Sequence, residues 1–106
     1  MAKQSAPQEL AQIAPKLYEI TNEVLFADVW ERPELSPRDR SLVTVSVLAA
    51  LYRTEQLDYH LSTALDNGLS VQELSEAITH LGFYAGWPNA MTAVTRLKKI
   101  TDERSA

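Results

Sequence analysis

Residues 36–51 read SPRDRSLVTVSVLAAL, and the fold class depends on whether this stretch is a strand, a membrane span or a buried helix. Eight of residues 42–51 are apolar, interrupted by Thr44 and Ser46, and ten residues is about half of what a bilayer requires. Ser36, Pro37 and Asp39 supply a helix opening: a capping hydroxyl, a ring that fixes φ at the first helical position, and a carboxylate in the first turn. The stretch is therefore predicted as a helix to about Tyr52. It is apolar nearly all round, so it is expected at the centre of a bundle.

Upstream, Leu10, Ile13, Leu17, Ile20 and Val24 recur at the spacing of one helical face, predicting a first helix from about Pro7. A short second helical segment over residues 23–30 runs into ERPELSP, where Pro33 and Pro37 force a loop. Downstream, Thr54 is placed to cap a fourth helix whose inner side carries Leu57, Leu61, Ala64 and Leu65 and which stops at Asn67-Gly68. Ser70 with Glu73 is a capping box that launches a fifth helix, with Val71, Leu74, Ile78 and Leu81 inward and Gly82 and Gly86 loosening its end. Pro88 opens a sixth helix on Ala90, Ala93, Val94, Leu97 and Ile100, and ERSA at residues 103–106 is expected to fray. No segment reads as a strand. The expectation is one all-α domain over residues 1–106, a bundle of five to six helices.

Composition narrows the function. The 106 residues carry ten basic and fourteen acidic side chains, a net charge of −4, with no run of Lys and Arg, which argues against nucleic acid as a partner. There is no cysteine, so disulfides, thiol catalysis and thiolate metal sites are excluded. The opening MAKQSAPQELAQIAP lacks the apolar centre of a secretion signal, and a cytoplasmic location with no membrane partner is expected. The third helix is apolar all round in a chain with too few helices to enclose it, which predicts an obligate homo-oligomer.

Among residues able to do chemistry, His60 borders the apolar stripe of the fourth helix, with Arg53 and Gln56 on the same side. A half-buried histidine tied to a backbone carbonyl is the competing reading. His80 lies well away from the inner stripe of the fifth helix and is expected at solvent or an interface. The two histidines are twenty residues apart on different helices and belong to no HxxxH or HExxH pattern, so no metal site is predicted. No serine sits in a GxSxG elbow, and the glycines form no phosphate loop. The segment GFYAGWPNA, residues 82–90, suggests a tight corner where Tyr84 offers a hydroxyl to a ligand. Phe83, Tyr84 and Trp87 packing that corner is the alternative.

Read together, VWERPELSPRDRSLVTVSVLAAL, EQLDYHLSTALDNGLSVQELSEAI and FYAGWPNAMTA resemble the carboxymuconolactone decarboxylase family over a core of about residues 25–95. The resemblance implies an alkylhydroperoxidase D-like helical subunit that assembles into trimers or, in the decarboxylase branch, hexamers. In the thiol peroxidase branch a CxxC pair precedes the histidine that matches His60. Here those cysteine positions are Arg53 and Gln56, and the branch's upstream glutamate falls on Ser41. Without a thiolate there is no nucleophile for a peroxide, so the decarboxylase branch is the better match.

The resemblance thus implies a cofactor-independent lyase acting on a small carboxylated lactone or related organic acid. His60 would be the proton donor, Arg53 or Arg40 would hold a carboxylate, and Gln56, Ser41, Tyr84 and Trp87 would contact substrate. The rival expectation is a non-catalytic helical oligomer that binds a small ligand or serves as an accessory protein.

Overall fold

The computed structural model describes residues 4–105. It divides into two compact units, one ending at Pro37 and the other beginning at Arg38. No strand is present among the described residues. Met1–Lys3 of the opening stretch and Ala106 of the tail lie outside them.

In the first unit the single helix expected from about Pro7 is broken in two, α1 (Leu10–Ile13) and α2 (Pro15–Ile20). The cause is Pro15: the residue before a proline is pushed out of the helical region, and Ala14 takes φ −139° and ψ 73°. From α2 the chain passes directly into a π-helical turn, Thr21–Phe26, where the Ala27 N–H reaches back five residues to the Asn22 carbonyl. A 3-10 turn, Val29–Glu31, follows. The expected separate helix over residues 23–30 is thus an extension of α2 plus a short turn. The Asn22 side chain accepts from the Ala6 N–H at 2.8 Å. Ile13, Leu17, Ile20 and Val24 form the expected stripe, and all four are exposed.

The second unit holds α3 (Pro37–Ala50) from its second residue on, α4 (Thr54–Asp66), α5 (Val71–Ala85) and α6 (Trp87–Ser105). Its core is built from Val45, Leu57, Leu61, Leu74, Ile78 and Leu97 with the small residues between them. The central element is α6, which packs closely along both α5 and α4. This corrects the expectation for α3. That helix gives Val45 and Ala49 to the core but leaves Val43 and Val47 exposed, because its apolar residues are spread around the whole helix and only one face can turn inward.

Three junctions fix the helix ends. Between α3 and α4, Tyr52 adopts φ 61°, the left-handed conformation that closes a helix, while the Arg53 N–H bonds to the Leu48 carbonyl at 2.8 Å. Thr54 is the first residue of α4 rather than its cap, and Arg53 occupies the cap position with no side-chain bond. Between α4 and α5, Gly68 takes φ 103°, as Asn67-Gly68 predicts. The capping box is formed as read: Ser70 Oγ accepts from the Glu73 N–H at 3.0 Å, and Glu73 Oε1 accepts from the Ser70 N–H at 2.9 Å.

Gly82 does not loosen the end of α5. It is buried within the helix, where an added Cβ would meet Ala90 Cβ at 3.0 Å and the Trp87 ring at 3.2 Å, so its hydrogen lets α6 approach. The break comes at Gly86, with φ 115°. The expected frayed tail is helical through Ser105, because Arg104 donates to Ser62 Oγ and Asp66 Oδ1, both at 2.8 Å.

Candidate functional site

On α4, Arg53, Gln56 and His60 lie along one strip, because seven residues make nearly two full turns and four make slightly more than one. Leu57, Leu61 and Ala64 beside them are in the core, which draws His60 partly under the surface while Arg53 and Gln56 stay exposed. The imidazole packs edge-on against Tyr59, with ring centroids 4.9 Å apart. Its Nδ1 is buried and has no hydrogen-bond partner. The competing reading, a histidine satisfied by a backbone carbonyl at that nitrogen, therefore does not hold. Burial pushes the His60 pKa below its usual 6.5, because the charged ring loses water. An unpartnered buried nitrogen is an unfavourable arrangement that a ligand or a second chain would relieve.

Arg40 is half-buried on α3, one turn into the helix, and its carbonyl accepts from the Thr44 hydroxyl. Ser41 is 1% exposed, and its Oγ accepts from Asn67 Nδ2 at 3.0 Å. The side chain thereby ties the start of α3 to the end of α4. At the corner between α5 and α6, Phe83 and Tyr84 are 78% and 82% exposed, so these aromatics do not fill the corner. Tyr84 lies against His80, with ring centroids 5.2 Å apart, and Phe83 against Trp87.

Asn67 was read only as part of the α4 stop and Asn89 only as part of a corner segment, yet the side chains of both secure helix ends. Asn89 Nδ2 donates to the Ala50 carbonyl at 2.8 Å, satisfying the last turn of α3. Asn89 belongs to the GWPNA segment that the sequence marks as a corner, and that was the available signal. Arg38 reaches Glu73 of the capping box as well as Asp39. The Glu73 carboxyl is held below its ordinary range, first by the Ser70 N–H and also by the Arg38 guanidinium.

Among the hollows of the second unit, two concern its polar side chains. One lies beside α6, against Thr92, Thr95, Arg96 and Lys99. The other, of about 540 Å³, runs between α3 and α5. His60 lines neither. Among the described residues no group of three or more His, Cys, Asp and Glu side chains is placed to hold a metal ion. No helix of the described residues is long and apolar enough to cross a membrane.

Residues 15–99 match the Carboxymuconolactone decarboxylase family. The chain belongs to that family. It is 40% identical over 75 residues to the 4-carboxymuconolactone decarboxylase of Acinetobacter baylyi, covering 71% of this chain and 56% of that protein. It is also 29% identical over 85 residues to a nitrosuccinic acid decarboxylase of Metarhizium robertsii, covering 80% of this chain and 59% of that protein. The family matches thus reach little more than half the length of these curated relatives.

Proposed function

We propose that this chain is the subunit of a cofactor-independent decarboxylase for a small organic acid, with His60 delivering the proton that replaces CO2. The observation that carries the reading is the buried, unpartnered Nδ1 of a half-exposed imidazole in a family with two relatives named as decarboxylases. The acids in those names share one property. In 4-carboxymuconolactone the electron pair left by CO2 passes through the ring double bond to the lactone carbonyl, and in nitrosuccinic acid it passes to the nitro group on the same carbon. The electron sink is in the substrate, so the protein has to hold the carboxylates, stabilise the resulting oxyanion and protonate carbon.

His60 starts neutral at pH 7, because burial disfavours its cation. An anionic acid beside the ring acts in the opposite direction and raises its pKa, so the imidazole takes up a proton as substrate binds and hands it to carbon after CO2 departs. Arg53, two turns earlier on the same strip, is the first choice to hold a carboxylate, with Arg40 the second, because a guanidinium meets a carboxylate in a forked pair. Gln56, between Arg53 and His60, is placed to donate to the substrate. Tyr84 and Trp87 complete the proposed set of contacts, while the buried Ser41 holds the start of α3 to the end of α4.

Since His60 lines neither of the two hollows described above, the pocket is proposed to be completed by a further copy in a trimer or hexamer. The same fact favours a second reading, a ligand-binding or accessory oligomer without chemistry. Turnover of 4-carboxymuconolactone, nitrosuccinate and related acids, followed by CO2 release, separates the two. The catalytic reading expects His60→Gln to remain folded and oligomeric while losing a factor of roughly 10² to 10⁴ in rate. Wild-type protein inert toward the whole series would leave the non-catalytic reading in place.

A further inference from the structure

The hollow between α3 and α5 has the making of a second binding site, distinct from the strip around His60. One face of α3 supplies Arg38, Leu42 and Ser46, and one face of α5 supplies Glu73, Glu76 and His80. Arg38 bonds Glu73 across the hollow, and Ser46 and His80, about two turns further along their own helices, also line it. Leu42, Leu69 and Leu81 supply apolar lining. A volume of about 540 Å³ is within the range of small-molecule sites.

The polar groups divide into those already engaged and those left over. Arg38 is bonded to both Asp39 and Glu73, and Glu73 also accepts from the Ser70 N–H. Glu76 and His80 are exposed and Ser46 is half-buried; no ion pair among the described residues engages Glu76, and the His80 ring lies against Tyr84. The bare hydroxyl of Ser46 differs from Thr44, Thr79, Thr95 and Thr101, each of which donates to the carbonyl four residues back. The charge facing the hollow is one engaged cation against two carboxylates, with Glu76 uncompensated. An organic acid is repelled by that balance, so the hollow is a poor seat for the substrate class proposed above. A cation with an apolar body matches it.

The geometry points to a binding site for a small primary amine with an apolar or aromatic body. Its ammonium is seated on Glu76, with Ser46 Oγ and a ring nitrogen of His80 accepting its remaining protons, and its body lies on Leu42, Leu69 and Leu81. This inference goes beyond the decarboxylase reading and does not depend on it.

The test uses the full chain and three probes that share a phenylalkyl body and differ in head group: phenethylammonium, 3-phenylpropan-1-ol and 3-phenylpropanoate. Backbone amide shifts are followed by NMR at pH 7. The expected result is saturable shifts at Ser46, Ala77 and His80 with phenethylammonium, and a Kd at least tenfold lower than for the alcohol or the carboxylate. Glu76 is exposed, so Glu76→Gln leaves the fold intact and is expected to abolish that preference. His60→Gln is expected to leave it unchanged. Equal binding of the three probes, tighter binding of the carboxylate, no saturable shift, or loss of binding in His60→Gln would each overturn the site. None of these outcomes bears on whether an acid is decarboxylated.

Discussion

Asn89 at the start of α6 holds the last turn of α3 through a 2.8 Å bond from its side-chain amide to the Ala50 carbonyl. Removing it leaves a partly buried carbonyl without that donor, which costs about 1–2 kcal/mol. Asn89→Ala is therefore expected to lower the Tm by several degrees, since about 1 kcal/mol corresponds to roughly 4–8 °C in a domain of this size. Thermal unfolding followed by circular dichroism checks this. An unchanged Tm would mean that the bond contributes nothing to the corner.

Gly82→Ala sets two effects against each other. Alanine favours a helix interior by about 1 kcal/mol, but the new methyl would stand 3.0 Å from Ala90 Cβ, an atom fixed to the backbone of α6. Overpacking of this kind costs typically 1–3 kcal/mol, so net destabilisation is expected. Chemical denaturation should show a lower midpoint with an unchanged slope. A stabilised variant would show that α5 and α6 can separate at no penalty.

The pH dependence of stability follows from two groups whose pKa values are both depressed in the folded chain. For His60 the unfolded state binds the proton more readily, so its contribution is fully present above the usual 6.5 and declines as pH falls from there toward its lowered folded value. For Glu73 the contribution is present above its usual 4.5 and is lost as pH falls through its lowered folded value. Urea midpoints measured against pH are expected to show an upper decline that disappears in His60→Gln and a lower one that disappears in Glu73→Gln. An upper decline that persists in His60→Gln would place its origin elsewhere.

Val43 and Val47 on α3, with Leu51 just beyond its end, are exposed apolar residues spaced four apart, and contiguous patches of this kind mark association surfaces. Light scattering is expected to give a trimer or a hexamer. Val47→Glu, which puts a charge in the middle of the line without touching the core, is expected to shift the mass toward that of a single 11.9 kDa chain. A wild-type protein that is monomeric at micromolar concentration contradicts both the oligomer and the completion of the His60 pocket by a second copy.

The second unit was legible in the sequence because its signals are local. Ser70 and Glu73 meet within one turn, Gly68 has the conformation its neighbours require, and the stripes of α4, α5 and α6 have clean periodicity. The misreadings came where non-local geometry decides. An apolar surface all round α3 does not say which face turns inward, and Gly82 reads as a weak point until Ala90 is seen packed against it. The break at Ala14 was readable from Pro15, but the strong stripe running through it masked the signal. The strip of Arg53, Gln56 and His60 follows from helical spacing alone. The unpartnered state of His60 Nδ1 and the bond between Asn67 and Ser41 depend on three-dimensional neighbours that no spacing rule supplies.

Tyr52 is the hinge pin from which α4 departs, and its left-handed φ of 61° sets that helix's direction. His60 stands eight residues further on, an arm of about 12 Å, so a swing of about 10° at the pin carries the imidazole about 2 Å sideways. Displacements of half that size are enough to lower a rate by roughly 10². The aim of the proposed proton donor is thus set by the backbone of a residue eight positions before it.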